Sequence, residues 1–295
     1  MDGIINVNKP LGITSHDVVY RLRKILGIKK IGHTGTLDPD AEGVLPMCIG
    51  RGTKLAEELT AKEKQYLAEL TLGITTDTQD ISGTVLSEAE VTVSEEEIRD
   101  AIMSFVGEID QIPPMFSAIK VGGKKLYELA REGKTVEMPP RRVEILNIEI
   151  IGIDMESKKA RFLVDCSKGT YIRTLCHDIG AKLGCGGVMS ALKRTRSGEF
   201  KIENSYTLEQ IGKMSEENDF SFMTGIDEVL SRYDKVILAD RNATRLCNGI
   251  MITIAGIEEG TTFRAYNEQG KFLALCSMEN GKVNVVRAFY GEAPK

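Results

Sequence analysis

No CxxC pair and no metal-ligand spacing occurs among the six cysteines, Cys48, Cys166, Cys176, Cys185, Cys247 and Cys276. That excludes a disulfide framework and a zinc site of the usual spacing. The thiols read as free and buried, in a reducing compartment. No apolar run approaches the roughly 20 residues that cross a bilayer. The opening MDGIINVNKP has the character of neither a signal peptide nor a transit peptide, so the expected location is the cytoplasm. A Walker motif and a GxGxxG fingerprint are both missing, which removes nucleotide and dinucleotide cofactors from the expected chemistry. Repeats and low-complexity tracts are missing too. Histidine is scarce, with only His16, His33 and His177. What is present is ordinary globular material: 295 residues, 42% hydrophobic and 27% charged. The length exceeds one typical domain of roughly 100 to 200 residues, and it can bury a core without disulfides or metals.

The net charge of -5 would disfavour a nucleic-acid partner if it were spread evenly. It is not. Residues 113–142 hold seven cations (Lys120, Lys124, Lys125, Arg131, Lys134, Arg141, Arg142) against three acids (Glu128, Glu132, Glu137). Further basic clusters fall at Arg21, Arg23, Lys24, Lys29 and Lys30, and at Lys193, Arg194 and Arg196. Acids concentrate in residues 88–110 and 203–228. A phosphate backbone responds to local field rather than net charge, so one basic face is the expectation.

Hydrophobic periodicity supplies the elements. Residues 4–7 read as a short strand. Ser15 reads as a helix N-cap ahead of the stripe Val18, Val19, Leu22, Ile25 and Leu26, closed by Gly27. Residues 31–50 are rich in Gly and Pro with little periodicity, the composition of a structured loop region that holds a site. Residues 66–72 alternate as a strand, and Ser94 to Glu97 matches a capping box opening a helix through Phe105. Pro113-Pro114 breaks the chain before the basic segment, which is expected to hold a strand and a helix near residues 125–131. Residues 143–153 and 161–166 read as paired strands, and residues 171–183 as a helix. From about residue 236 the chain becomes β-rich, with a short helix over 241–247 and strands at 262–266, 272–276 and 283–289. That pattern predicts a small β-barrel appendage, with a boundary near residue 230.

The segment Gly32-His33-Thr34-Gly35-Thr36-Leu37-Asp38-Pro39-Asp40-Ala41-Glu42-Gly43-Val44-Leu45-Pro46 carries the most chemistry. Gly35 and Gly43 permit unusual backbone angles, and Pro39 restricts Asp38 to extended conformations. A carboxylate displayed on such a loop is a candidate nucleophile or acid/base. The same residues also fit a plain Asx-type turn at Asp38-Pro39.

This segment closely resembles the catalytic motif of the TruB family, which isomerises uridine 55 in the T-loop of tRNA. Four further blocks follow in the family's order. Asn8-Lys9-Pro10 with Gly12, Thr14 and Ser15 is similar to its KPxGxTS motif. Lys64-Gln65-Tyr66 and Gly73 through Asp80 are similar to its tyrosine motif. Pro113 through Ala118, continued to Leu126-Tyr127, resembles its RNA-gripping insertion, about 113–139. Cys166 through Leu175 resembles its third core motif.

The resemblance implies an α+β pseudouridine synthase fold over residues 1–230, with a mixed, mostly antiparallel sheet and a central cleft. A PUA-type RNA-binding domain is implied over 231–295, where from Lys235 onward eight basic residues face six acidic ones. It implies Asp38 as the catalytic carboxylate, Arg173 as its bidentate partner and Tyr66 as the catalytic ring that stacks on the target base and helps remove the C5 proton. Tyr171 and Leu192 map to walls of the uracil pocket, and His33 to the space vacated when uridine flips. Asp80 is expected to support the pocket, and Lys9 to brace the loop. RNA contacts are expected from Lys120, Lys124, Lys125, Arg131, Arg141, Arg142, Lys193 and Arg194. The implied reaction needs no metal and no cofactor. The implied partner is the tRNA T-arm stem-loop, with no membrane, no obligatory protein partner, and a monomeric enzyme.

Three other readings remain open at this point. One is a non-catalytic RNA-binding protein or tRNA-folding chaperone on the same fold. Another is a guide-RNA-dependent pseudouridine synthase, against which the insertion starting at Pro113 argues. The last is a hydrolase using Asp38 and Asp40, a pair flanking a proline that need not face one another.

Overall fold

The structure is a computed structural model and describes residues 1–117 and 119–290. Ala118 of the insertion motif, and Glu292 and Lys295 among the C-terminal charges, lie outside the described residues. In chain order the elements begin with β1 (Gly3–Lys9), α1 (Ser15–Leu26), β2 (Ile31–His33), β3 (Ala41–Ile49), α2 (Ala56–Thr60) and β4 (Lys64–Leu72). Next come β5 (Ile74–Thr76), β6 (Val85–Glu88), α3 (Glu95–Met103), β7 (Gly107–Gln111), β8 (Lys120–Val121), β9 (Lys124–Lys125) and α4 (Leu126–Arg131). Then follow β10 (Arg141–Asp154), β11 (Lys159–Cys166), α5 (Ile172–Lys182), β12 (Gly187–Ser197), β13 (Phe200–Lys201) and α6 (Leu208–Glu216). The last group is β14 (Met223–Gly225), α7 (Ile226–Val229), β15 (Asp234–Ile237), α8 (Asp240–Cys247), β16 (Thr262–Tyr266), β17 (Phe272–Glu279) and β18 (Lys282–Ala288).

One ten-stranded sheet organises the first 225 residues, in the order β14-β1-β3-β12-β4-β11-β10-β7, with β2 on β3 and β13 on β12. Every pairing in it is antiparallel except β3 with β12. The fold is therefore α+β with a mixed, mostly antiparallel sheet. Strand β4 shows why one face is apolar. Tyr66, Ala68, Leu70 and Leu72 alternate inward, while their neighbours stay half-exposed. The buried face meets Val18, Val19 and Leu22 of α1, Ile98 and Ile102 of α3, and Leu175 and Ile179 of α5.

The glycine- and proline-rich stretch 31–50 is not all loop. It contains β2 and β3, and β3 is buried along nearly its whole length. A strand covered on both sides loses alternation, and Gly43 and Pro46 further disguise it. Gly43 is required there. Its φ is +106°, and a Cβ on it would stand 2.3 Å from the carbonyl oxygen of Arg194. The cap of α1 also differs from expectation. Thr14, not Ser15, closes the capping box with Asp17, its hydroxyl accepting the Asp17 amide at 3.0 Å. Ser15 is thereby free for another task.

The C-terminal strands form an open four-stranded sheet, β15-β16-β17-β18, and not a closed barrel among the described residues. Its β15–β16 pair is parallel and the others are antiparallel. Four strands with one face on α8 bury Phe263, Leu273 and Ala274 without needing to meet edge to edge. A separate cluster joins the two sheets: Ile4, Cys48 and Leu55 pack with Ile226, Val229, Leu230, Leu275 and Phe289. Around it Lys54 Nζ donates to the Ala288 carbonyl at 2.6 Å, and Arg264 pairs with Asp227 at 2.9 Å.

Candidate active site

Asp38 lies between β2 and β3, on a loop fastened from several sides. The Leu37 side chain is buried, its amide donates to Ser15 Oγ at 2.8 Å, and Ser15 Oγ donates to the Leu37 carbonyl at 3.0 Å. The Gly12 amide donates to the Pro39 carbonyl at 2.9 Å, and Ala41 to the Asp38 carbonyl at 3.1 Å. Lys9 is wholly buried, with Nζ donating to the carbonyls of Ile13 at 2.7 Å, Pro10 at 2.9 Å and Pro39 at 3.5 Å. Burial pushes its ammonium down to about 8, with Asp38 and Asp40 pulling it back up.

The Asp38 side chain is 42% exposed, while that of Arg173 is only 7% exposed. Their closest approach is Nη2 to Oδ2 at 3.1 Å. The expected two-pronged grip is replaced by a shared one. Nη1 is occupied by the Thr78 carbonyl at 3.0 Å and Asp80 at 3.5 Å, and Nη2 also donates to the Phe116 carbonyl at 2.7 Å. A guanidinium can serve several acceptors because its donors fan out in one plane. Asp80 is in turn held by the hydroxyls of Thr78 and Ser82, both at 2.7 Å. The carboxylate facing solvent thus rests on a buried cation that a second carboxylate orients.

Tyr66 is buried on β4. Burial raises its phenol, and the Arg194 guanidinium beside it opposes that rise. Leu192 of β12 is paired with both Ala41 and Ala68, which sets it between the Asp38 loop and the Tyr66 strand. His33 is half-buried at the end of β2, and burial, then Arg194, lowers its imidazole, favouring the neutral form. Tyr171 caps the start of α5. Lys193 pairs with Glu42 at 3.3 Å.

Arg194 is not an RNA-facing cation: it is 1% exposed. Its neighbours on β12 turn it inward with Leu192, two residues before, because strand side chains alternate. The remaining cations do reach the surface, Lys120, Lys124, Arg131, Arg141 and Arg142 exposed and Lys125 half-buried. Lys124 and Lys134 both pair with Glu132, at 2.8 and 2.7 Å, holding that carboxyl at about 2. Arg142 lies 3.4 Å from Glu108 and 3.6 Å from Asp110.

Two glutamines support the site without having stood out in the sequence. Gln111 is buried, accepts the Tyr171 amide at 3.0 Å and donates to the Tyr171 carbonyl at 3.2 Å, fixing where α5 begins. Gln79 has a φ of +64° and accepts the Thr174 hydroxyl at 2.9 Å. A positive φ on a non-glycine residue beside a site is a strained position that its surroundings must hold. Nothing in composition marks either residue; only the Gly73 to Asp80 block hinted at Gln79. Among the described residues no group of three or more His, Cys, Asp or Glu side chains is placed to hold a metal ion, and no helix is long and apolar enough to cross a membrane.

Comparison with solved structures gives the class. An H/ACA RNP bound to a substrate RNA containing 2′-deoxyuridine superposes with a TM-score of 0.71 at 27% identity, covering 98% of this chain and 86% of that one. A protein of an archaeal box H/ACA sRNP complex superposes with a TM-score of 0.69 at 28% identity, covering 99% and 88%. The fold is that of a pseudouridine synthase. The profile of the TruB family pseudouridylate synthase N-terminal domain matches residues 23–172, and that of the tRNA pseudouridylate synthase B C-terminal domain matches residues 173–238. The tRNA pseudouridine synthase B of Clostridium novyi is 49% identical over 286 residues, covering 96% of this chain and 97% of that protein. That of Clostridium kluyveri is 44% identical over 293 residues, covering 98% and 100%. This chain belongs to the TruB family of pseudouridylate synthases.

Proposed function

We propose that this chain isomerises uridine to pseudouridine in tRNA, at position 55 of the T-loop, with Asp38 as the catalytic carboxylate. The observation that carries the reading is a half-exposed Asp38 set 3.1 Å from the buried Arg173, on a loop that Ser15 holds at Leu37 and the Gly12 amide holds at Pro39. A guanidinium at that distance fixes the direction of the carboxylate. Relatives at 44 and 49% identity carry the name of the tRNA enzyme.

The target uridine leaves its stack, at a cost of a few kcal/mol, and Tyr66 offers a ring face in return. Asp38 attacks the base or sugar, or takes a proton from C2′ to give a glycal. On each route the N1–C1′ bond breaks, the base turns, and a C5–C1′ bond forms. C5 loses its proton and N1 gains one, so the reaction is redox-neutral and calls for no cofactor. Arg173 and Asp80 keep the carboxylate aimed while the base turns. Lys120, Lys124, Lys125, Arg131, Arg141 and Arg142 meet the phosphates of the T-arm, and Lys193, half-buried beside Glu42, joins them. Residues 1–230 form the catalytic domain and 231–295 a PUA-type RNA-binding domain. The enzyme works as a cytoplasmic monomer without an obligatory protein partner.

Tritium release from a T-arm stem-loop labelled at uridine C5 tests this reading. Release by the natural protein and none by Asp38→Ala is the expected result. If neither releases tritium while both bind the RNA tightly, the chain is an RNA-binding protein or folding chaperone and Asp38 is a turn residue.

A further inference from the structure

Arg194 is the largest of the fully buried side chains, at 1% exposure, and it has no carboxylate within ion-pair distance among the described residues. A buried cation without an anionic partner is costly to fold, so its acceptors matter. All three are main-chain carbonyls of one segment. Nε donates to Val44 at 2.7 Å, Nη2 to Gly35 at 3.3 Å and Nη1 to Thr36 at 3.5 Å. Gly35 and Thr36 precede Asp38, and Val44 follows it, so one side chain grips the loop on both flanks of the carboxylate.

The backbone of Arg194 adds a second connection. It pairs in parallel with Gly43 of β3 and antiparallel with Tyr66 of β4. The parallel approach is so close that Gly43 has no room for a Cβ. Arg194 therefore sits between the strand that leaves the Asp38 loop and the strand that carries the stacking ring, and its guanidinium stands beside the Tyr66 phenol. Ser15, at the Leu37 carbonyl, and Lys9, at the Pro39 carbonyl, hold the loop from the α1 side. On the Tyr66 side β12 pairs with the end of the loop at Ala41 and Glu42, and Arg194 adds the buried side chain that reaches back to Gly35 and Thr36.

We propose that Arg194 is a positioning residue for the isomerisation, fixing the Asp38 loop against the Tyr66 strand so that carboxylate and ring keep their separation while the base turns. This rests on the functional reading above. It makes a specific demand on chemistry: a three-directional fork is needed, not merely a positive charge or a filled volume. Lysine supplies the charge but gathers its donors on one point, and cannot span Gly35 to Val44.

The experiment is single-turnover pseudouridine formation on the C5-tritiated T-arm, read beside the Kd for that RNA and the melting temperature, for Arg194→Ala and Arg194→Lys. The natural protein is the control: if it releases no tritium, the functional reading has failed and not this one. A misplacement of about 1 Å costs on the order of 100-fold in rate. Both variants are expected to lose about that factor, with Kd kept within about twofold. Guanidinium ion at non-denaturing concentration is expected to restore at least about tenfold to Arg194→Ala and nothing to Arg194→Lys, because it replaces the fork itself. Three results each overturn the proposal: Arg194→Lys at the natural rate, RNA affinity falling in step with rate, or no restoration of a folded Arg194→Ala by guanidinium. If Arg194→Ala does not fold, Arg194→Lys decides by the same split between rate and Kd.

Discussion

Two segments of this molecule are rich in Gly, Pro and polar residues, yet they are built on opposite terms. The Asp38 loop is fastened by buried groups: the Ser15 hydroxyl at Leu37, the Lys9 ammonium at Pro39 and the Arg194 guanidinium at Val44, each directed at main-chain carbonyls or amides. The insertion around residues 113–139 has its buried anchors at its start, where Arg173 holds the Phe116 carbonyl, and at Leu126, while the rest is tied by exposed ion pairs, Lys124 and Lys134 to Glu132, and by the short β8–β9 hairpin. Exposed pairs contribute little and weaken in salt, whereas buried bonds that break leave costly orphans. The difference separates two tasks. On the proposed function, a reacting carboxylate must not move by an ångström, and a segment that grips a folded RNA must adapt to it.

The contrast between the two segments can be broken at several points. The largest effect is expected at the carboxylate itself: Asp38→Asn should lower C5 tritium release by at least about 10³-fold while leaving T-arm affinity intact, as loss of a reacting group does. Arg173→Lys comes next. One ammonium cannot serve Asp38, Asp80 and two carbonyls, so single-turnover rate should fall by about 100-fold with Kd unchanged; a near-natural rate would show that charge alone suffices. Ser15→Ala removes both bonds to Leu37 and orphans its buried amide. It should cost about 1 to 3 kcal/mol in urea unfolding, and a variant as stable as the natural protein would mean the loop is held otherwise.

The insertion should respond in a different quantity. Lys120→Gln with Arg141→Gln should leave the rate at saturating RNA alone, and flatten the slope of log affinity against log salt by about one for each phosphate no longer neutralised. Smallest in energy, though clear in contrast, is amide hydrogen exchange without RNA. Leu37 and Ala41 should exchange slowly and the amides of residues 119–139 quickly. Strong protection of the insertion in the free protein would erase the distinction between the two segments.

Local patterns carried much of the architecture. The alternation of residues 66–72, the capping box at Ser94 and the helix stop at Gly27 are short-range signals, and each marks an element where it occurs. The Asp38 loop could be picked out by resemblance, and Arg173, Asp80 and Tyr66 converge on it in space. What local pattern could not supply depends on strands far apart in the chain. Strand β3 has no alternation because both its faces are buried, Leu45, Met47 and Ile49 in the main core and Cys48 in the cluster beneath the C-terminal sheet, and Gly43 with Pro46 mimics a loop. Arg194 looks like one more cation of a basic cluster, until the neighbours of β12 turn it inward. The helper roles of Gln111 and Gln79 depend on where α5 is placed, which no nearby residue announces. The open C-terminal sheet has the strands expected of a barrel; their closure was a matter of edges, and edges are not written in periodicity.

The bond from Arg194 to Val44 spans 150 residues of sequence. Chains are made from the N-terminus at roughly 5 to 20 residues per second, so the Asp38 loop leaves the ribosome many seconds before the side chain that locks it. Strands β1, β2 and β3 can pair early, but the parallel edge of β3 stays vacant until β12 arrives. During that interval the carboxylate loop exists without its clamp. The fold around Asp38 is thus completed late in synthesis, and a nascent chain stalled before residue 194 would carry that carboxylate on a loop with no clamp from β12.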